Sequence, residues 1–74
     1  MAPEHVPFSR DARVSVREIG PRNEIIRDHP MGIVKNILAS KRGKQQIVVL
    51  GQEGLIRVPW PEPKRGQRKI IRYL

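Results

Sequence analysis

The sequence predicts a mainly β protein: a small antiparallel barrel or curled sheet of four to five strands, with a flexible N-terminal arm and a basic C-terminal tail. Three observations lead there. Apolar residues come in short runs, alternating in "ARVSVREI" and clustered in "QQIVVL" and "LIRV". Glycine-bearing connections, "SKRGK" and "GQEG", separate the last three runs by hairpin-length gaps. The chain has 74 residues, 38% of them apolar, with single Phe, Trp and Tyr residues at positions 8, 60 and 73. A domain that small buries only about 60% of the surface its unfolded chain exposes, so its core has to be thin and mainly aliphatic.

Taken in order, residues 1–10 carry Pro3 and Pro7 and no periodicity, and read as a flexible arm ahead of a single β domain over 11–74. Within the arm, Val6 and Phe8 flank Pro7 and have the look of a protein-docking peptide, because proline lowers the ordering cost of binding. The alternation of "ARVSVREI" puts Val14 and Val16 on one face and Arg13, Ser15 and Arg17 on the other, as in a half-buried strand. Gly20 and Pro21 stop it. Residues 20–32 then read as one long excursion, holding a turn of helix or an irregular strand around "EIIR" and a breaker at "DHPMG". "GIVKNILA", "QQIVVL" and "LIRV" form a three-strand meander, with Gly43 supplying a positive φ in its first turn. Pro59, Pro61 and Pro63 are expected to end the strand, so 59–69 reads as a Pro-rich basic turn. The last segment, "RKIIRYL", fits a closing strand or a short helix.

Strand, long loop, three-strand meander, Pro-rich turn and short last strand is the order of a small Src-homology-3-like barrel, a closure that protects sheet edges. In addition, "DARVSVREIGP" followed by "MGIVKNI", residues 11–37, resembles the KOW motif of NusG-type elongation factors and several ribosomal proteins. There a basic alternating strand ends in Gly-Pro and a second Gly-Val/Ile strand follows. The resemblance implies a barrel that docks on nucleic acid or on the transcription and translation machinery. In size and charge the chain is also similar to short phage-encoded regulators that bind RNA polymerase.

Composition excludes much else. The chain has no cysteine, hence no disulfide framework and no thiolate metal site. His5 and His29 have no carboxylate at ligand spacing, and a zinc site needs three or four ligands held together. No metal and no cofactor is expected. The hydroxyls of Ser9, Ser15, Ser40 and Tyr73 sit in no nucleophile motif, the carboxylates form no acid–base pair, and "GQEG" lacks the Lys-Ser/Thr ending of a phosphate-cradling loop. Neither catalysis nor a small-molecule substrate is expected. No apolar run reaches the roughly 18–20 residues of a membrane span, and "MAPEHVPFSR" lacks the features of a signal peptide. The expectation is a soluble protein of the cytoplasm, the host's if the chain is phage-encoded.

Charge points to a partner. Residues 1–34 balance Arg10, Arg13, Arg17, Arg22 and Arg27 against Glu4, Asp11, Glu18, Glu24 and Asp28, whereas 35–74 set ten cations against Glu53 and Glu62 and carry the whole net charge of +8. So one-sided a field attracts polyanions or acidic protein surfaces. In the hairpin reading Lys41, Arg42 and Lys44 project from one tip, while Lys64, Arg65, Arg68 and Lys69 follow the Pro-rich turn. Arg57 and Arg72 complete the expected binding face, on which glycine also lets the backbone approach phosphates. Trp60 is the single strong base-stacking candidate; its other reading is a plug at the open end of the barrel. Without a row of aromatics or a recognition helix, contact with RNA or DNA is expected to be backbone-led. Together these features predict a non-enzymatic, transcription-associated binding protein that docks on RNA polymerase or another transcription-complex protein, on nucleic acid, or on both. A ribosomal or ribonucleoprotein role is the alternative.

Overall fold

The computed structural model describes residues 6–39 and 43–74. Strands β1 (Arg13–Ile19), β2 (Ile25–Ala39), β3 (Gln45–Gly51), β4 (Gly54–Trp60) and β5 (Arg68–Tyr73) form one sheet in the order β4-β3-β2-β1-β5. Every neighbouring pair is antiparallel. The sheet curls without closing, since β4 and β5 share no ladder. This is the small mainly β architecture that the alternation and the turn glycines predict. Among the described residues no helix is long and apolar enough to cross a membrane.

Over 20–32 the structure takes the irregular-strand reading and not the turn of helix, and the excursion itself shrinks to a tight turn before β2. The Gly20 N–H donates to Glu24 O at 2.8 Å, Asn23 N–H donates back to Gly20 O at 3.0 Å, and Asn23 takes a left-handed φ of 63°. Asparagine tolerates that region better than most residues. β2 therefore resumes at Ile25 and runs through Pro30. A proline is accepted there because the β1–β2 register shifts between Val14–Gly32 and Val16–His29, leaving Pro30 at an irregularity in the ladder. The same irregularity suits a strand that serves two neighbours. The first part of β2 pairs with β1, the last part with β3, and Ile33 is opposite both Arg13 and Leu50.

Two further expectations are corrected or settled. Pro59 does not end the fourth strand: β4 continues to Trp60, with Pro59 opposite Gln46. As β4 is an edge strand, the missing N–H is tolerated. "RKIIRY" is a strand rather than a helix, because Lys69, Ile71 and Tyr73 alternate in register with Glu18, Val16 and Val14.

Val14, Val16, Val34, Ile47, Val49, Val58 and Ile71 are fully buried between the curled halves of the sheet. Gly32 is needed for this closeness, since a Cβ there would come 2.6 Å from Val49 Cγ1. Gly43 has the expected positive φ, 75°.

Residues 6–10 belong to the domain. Phe8 is 5% exposed, and its ring lies 5.8 Å from Trp60 in an edge-to-face arrangement and 4.7 Å from Tyr73. The Tyr73 hydroxyl donates to Pro7 O, Asp11 N–H donates to Val34 O at 2.8 Å, and Val6 packs on the core. An aliphatic core of this width leaves one end uncovered, and Phe8 fills it. The expectation that Val6 and Phe8 form a free docking peptide is corrected accordingly; residues 1–5 of the expected arm lie outside the described residues.

Candidate nucleic-acid interface

The expected cations divide into those held by the fold and those left free. Arg72 pairs with Glu62 at 2.7 Å and also donates to Ile71 O, which ties the Pro-rich turn to β5. Arg68 donates to Gly66 O at 2.9 Å and to Asn23 Oδ1 at 2.6 Å, and so bolts the start of β5 to the β1–β2 turn. Lys69 reaches across the open seam to donate to Arg57 O at 3.1 Å, satisfying a carbonyl on the edge of β4. These three side chains have structural work to do. In contrast, Lys44, Arg57, Lys64 and Arg65 are exposed, and among the described residues no carboxylate lies within 4.0 Å of any of them. Lys41 and Arg42 lie outside the described residues.

The reason for the surplus is visible in the ion pairs. Both carboxylates of the C-terminal half are engaged, Glu62 by Arg72 and Glu53 by Arg27 at 3.3 Å. Glu53 thus spends its charge on an arginine of the balanced half.

Among the described cations, Lys44 and Arg68 lie at opposite ends of the sheet. Gln45 is paired with both Ala39 and Trp60, so Lys44 stands at the end of the sheet where β2 finishes. Arg68 is paired with Ile19, which is paired with Ile25, so β5 begins where β2 begins. Because β5 runs antiparallel to β1, the 61–67 link has to travel from one end of β2 to the other. Arg57 on β4 and the link that carries Lys64 and Arg65 therefore share the β4–β5 side, with Lys44 at the end where β2 finishes. A groove of about 320 Å³ runs along this side, lined by Arg57, Arg68 and Lys69 with Glu18, Gln46 and Gln67.

Beside it, a second groove of about 450 Å³ holds a pair that the sequence reading missed. His29 Nε2 lies 2.8 Å from Glu18 Oε2, with His29 only 7% exposed. The hydrogen bond from His29 holds the Glu18 carboxyl below its ordinary value, against desolvation, and the charges of Lys69 and Arg27 act the same way. The signal was present in register: once β1 and β2 are recognised as a hairpin, Val16 opposes His29 and Glu18 opposes Arg27.

Trp60 is half-buried, with its ring edge-to-face to Phe8, as a plug would be. Its buried Nε1–H has no partner among the described residues, and neither does Oε1 of Gln45 directly across the ladder. No group of three His, Asp or Glu residues suited to a metal occurs among the described residues. Comparison of the chain with protein-family models, with curated proteins and with solved structures gives no match.

Proposed function

We propose that the chain is a non-enzymatic basic binding module of the transcription machinery in the cytoplasm. It contacts RNA or DNA through phosphates, and docks on RNA polymerase or another protein of that complex. One observation carries the phosphate contact: Lys44, Arg57, Lys64 and Arg65 are exposed, and among the described residues none has a carboxylate partner. Exposed cations of this kind neutralise phosphates and release counterions without reading bases. Trp60, the one strong stacking candidate, is engaged edge-to-face with Phe8, which favours phosphate contact over base stacking. The KOW-like segment, residues 11–37, and the one-sided charge support the placement in transcription.

The test is a tagged pull-down from lysate with and without nuclease, alongside binding of single-stranded RNA and duplex DNA at several salt concentrations. Retention of RNA polymerase subunits after nuclease treatment is expected. Loss of every partner on nuclease treatment would remove the polymerase contact, and binding indifferent to salt would remove the phosphate contact.

A further inference from the structure

The outer face of the sheet carries apolar side chains in an ordered row. Leu55 opposes Leu50, Leu50 opposes Ile33, and Ile33 opposes Arg13, so one ladder row crosses β4, β3, β2 and β1. At about 4.8 Å between strands, that row spans roughly 14 Å. Leu55 is 68% exposed, Leu50 41% and Ile33 37%. Met31 and Leu74, also exposed, extend the row at its β1–β2 side, where Leu74 is fixed by its N–H to Arg13 O at 3.1 Å. Together Met31, Ile33, Leu50 and Leu74 line a groove of about 490 Å³.

Single exposed aliphatics are ordinary on a protein surface, but a contiguous apolar strip with a groove in it marks an interaction site. The remaining question is what covers it. Among the side chains that line the groove Arg13 is the charged one, and Lys35 stands exposed on β2 two residues beyond Ile33. Neither cation has a carboxylate within 4.0 Å among the described residues. A second copy of the chain is a poor occupant, because face-to-face association would oppose two surfaces of a protein with a net charge of +8. Nucleic acid is also a poor occupant, since the strip offers aliphatic side chains and no aromatic ring on which a base could stack.

We propose that this face docks an acidic, amphipathic segment of a protein partner, with its aliphatic side chains seated on Ile33, Leu50 and Leu74 and its carboxylates meeting Arg13 and Lys35. The proposal rests on the reading of the chain as a docking module and gives the protein contact its own groove, lined by Met31, Ile33, Leu50 and Leu74 and none of the proposed phosphate-binding cations. Burial of the strip supplies affinity, and the cations set the orientation and exclude basic partners.

The test is a nuclear magnetic resonance titration of the full chain with a short synthetic peptide of alternating Leu and Asp/Glu. Two control peptides are run beside it, one with Leu replaced by Ser and one with Asp/Glu replaced by Asn/Gln. Amide shifts are expected to centre on Ile33, Leu50, Gly51 and Leu74, with both controls weaker. The exposed-residue variants Ile33→Ser and Leu50→Ser should each lower peptide affinity about tenfold, or about 1.4 kcal/mol. Equal binding of the Ser control, shifts centred on Lys44, Lys64 and Arg65, or no binding at all would overturn the proposal. So would concentration-dependent shifts at the groove without peptide, which would assign the face to a second copy. RNA binding measured on the same variants separates the two readings. Ile33→Ser should leave it unchanged, and a wild-type chain that binds peptide but not RNA would sink the phosphate contact alone.

Discussion

Glu18 on β1 and His29 on β2 meet with carboxylate and imidazole 2.8 Å apart and the histidine almost wholly buried. The pair links β1 to β2 next to the register shift of their ladder, and Lys69 and Arg27 add positive charge beside it. Glu18 is held below its ordinary pKa in the folded state. A carboxyl depressed in this way binds its proton more tightly in the unfolded chain, so stability rises with pH across the interval. The contribution is complete above the ordinary glutamate value, about 4.3, and is lost as pH falls through the depressed folded value. Glu18→Gln should therefore cost about 1–3 kcal/mol at neutral pH and flatten the acid limb of the stability curve. Urea denaturation at a series of pH values checks it: an unaltered acid limb in the variant would deny Glu18 this role.

Phe8 makes the second prediction. Its ring is wedged between Trp60 and Tyr73, and Pro7 accepts the Tyr73 hydroxyl. Phe8→Ala should cost about 3–5 kcal/mol, the usual range for a buried phenylalanine. A 74-residue domain has roughly 4–11 kcal/mol of total stability, so deletion of residues 1–8 should leave the chain close to unfolding. Thermal melts of the deletion and the point variant decide this. A truncated chain that melts like the full one would return Phe8 to a free arm.

These two regions show why part of the fold was legible in the sequence and part was not. Val14 and Val16, the turn glycines Gly43 and Gly54, and the run Ile47–Leu50 act locally: alternation and positive φ need no knowledge of the rest of the chain. Pro30 and Pro59 misled because proline's cost depends on tertiary place, at an irregularity in one case and on an edge strand in the other. Phe8 misled for the opposite reason. Nothing within residues 1–10 is periodic, and its burial follows only from a gap left by strands far along the chain. The cations were visible as residue types, yet their division was not. Whether an arginine is spent on Glu62, as Arg72 is, or left in water, as Arg65 is, depends on the path of the 61–67 link.

Gly32 tests the closeness of the core. In an ordinary strand position, replacing glycine with alanine stabilises modestly by restricting the unfolded chain. Here the added Cβ would meet Val49 Cγ1 at 2.6 Å, and Val49 is fully buried and unable to swing clear. Overpacking of this kind costs about 1–3 kcal/mol, so Gly32→Ala should lower the melting temperature. Shortening the neighbour as well, in a Gly32→Ala, Val49→Ala double variant, should give a penalty smaller than the sum of the two singles. Simple additivity would show that the two positions do not press on each other.

The division of cations gives the last prediction, because it assigns opposite phenotypes to residues a few positions apart. Lys64 and Arg65 are exposed and unpaired among the described residues, whereas Arg68 holds Asn23 and Gly66. Lys64→Ala with Arg65→Ala should leave the melting temperature within experimental error while weakening RNA binding. Each lost phosphate contact should also make the salt dependence shallower by about 0.7 in the log–log slope for a single strand. Arg68→Ala should do the reverse: about 1 kcal/mol of stability is lost with the two hydrogen bonds, and the salt slope moves little. Measured side by side, the two variants separate a phosphate contact from a structural tie. If Arg68→Ala flattened the slope and the Lys64, Arg65 pair did not, the binding surface would lie at the β1–β2 turn and not along the link that crosses the seam.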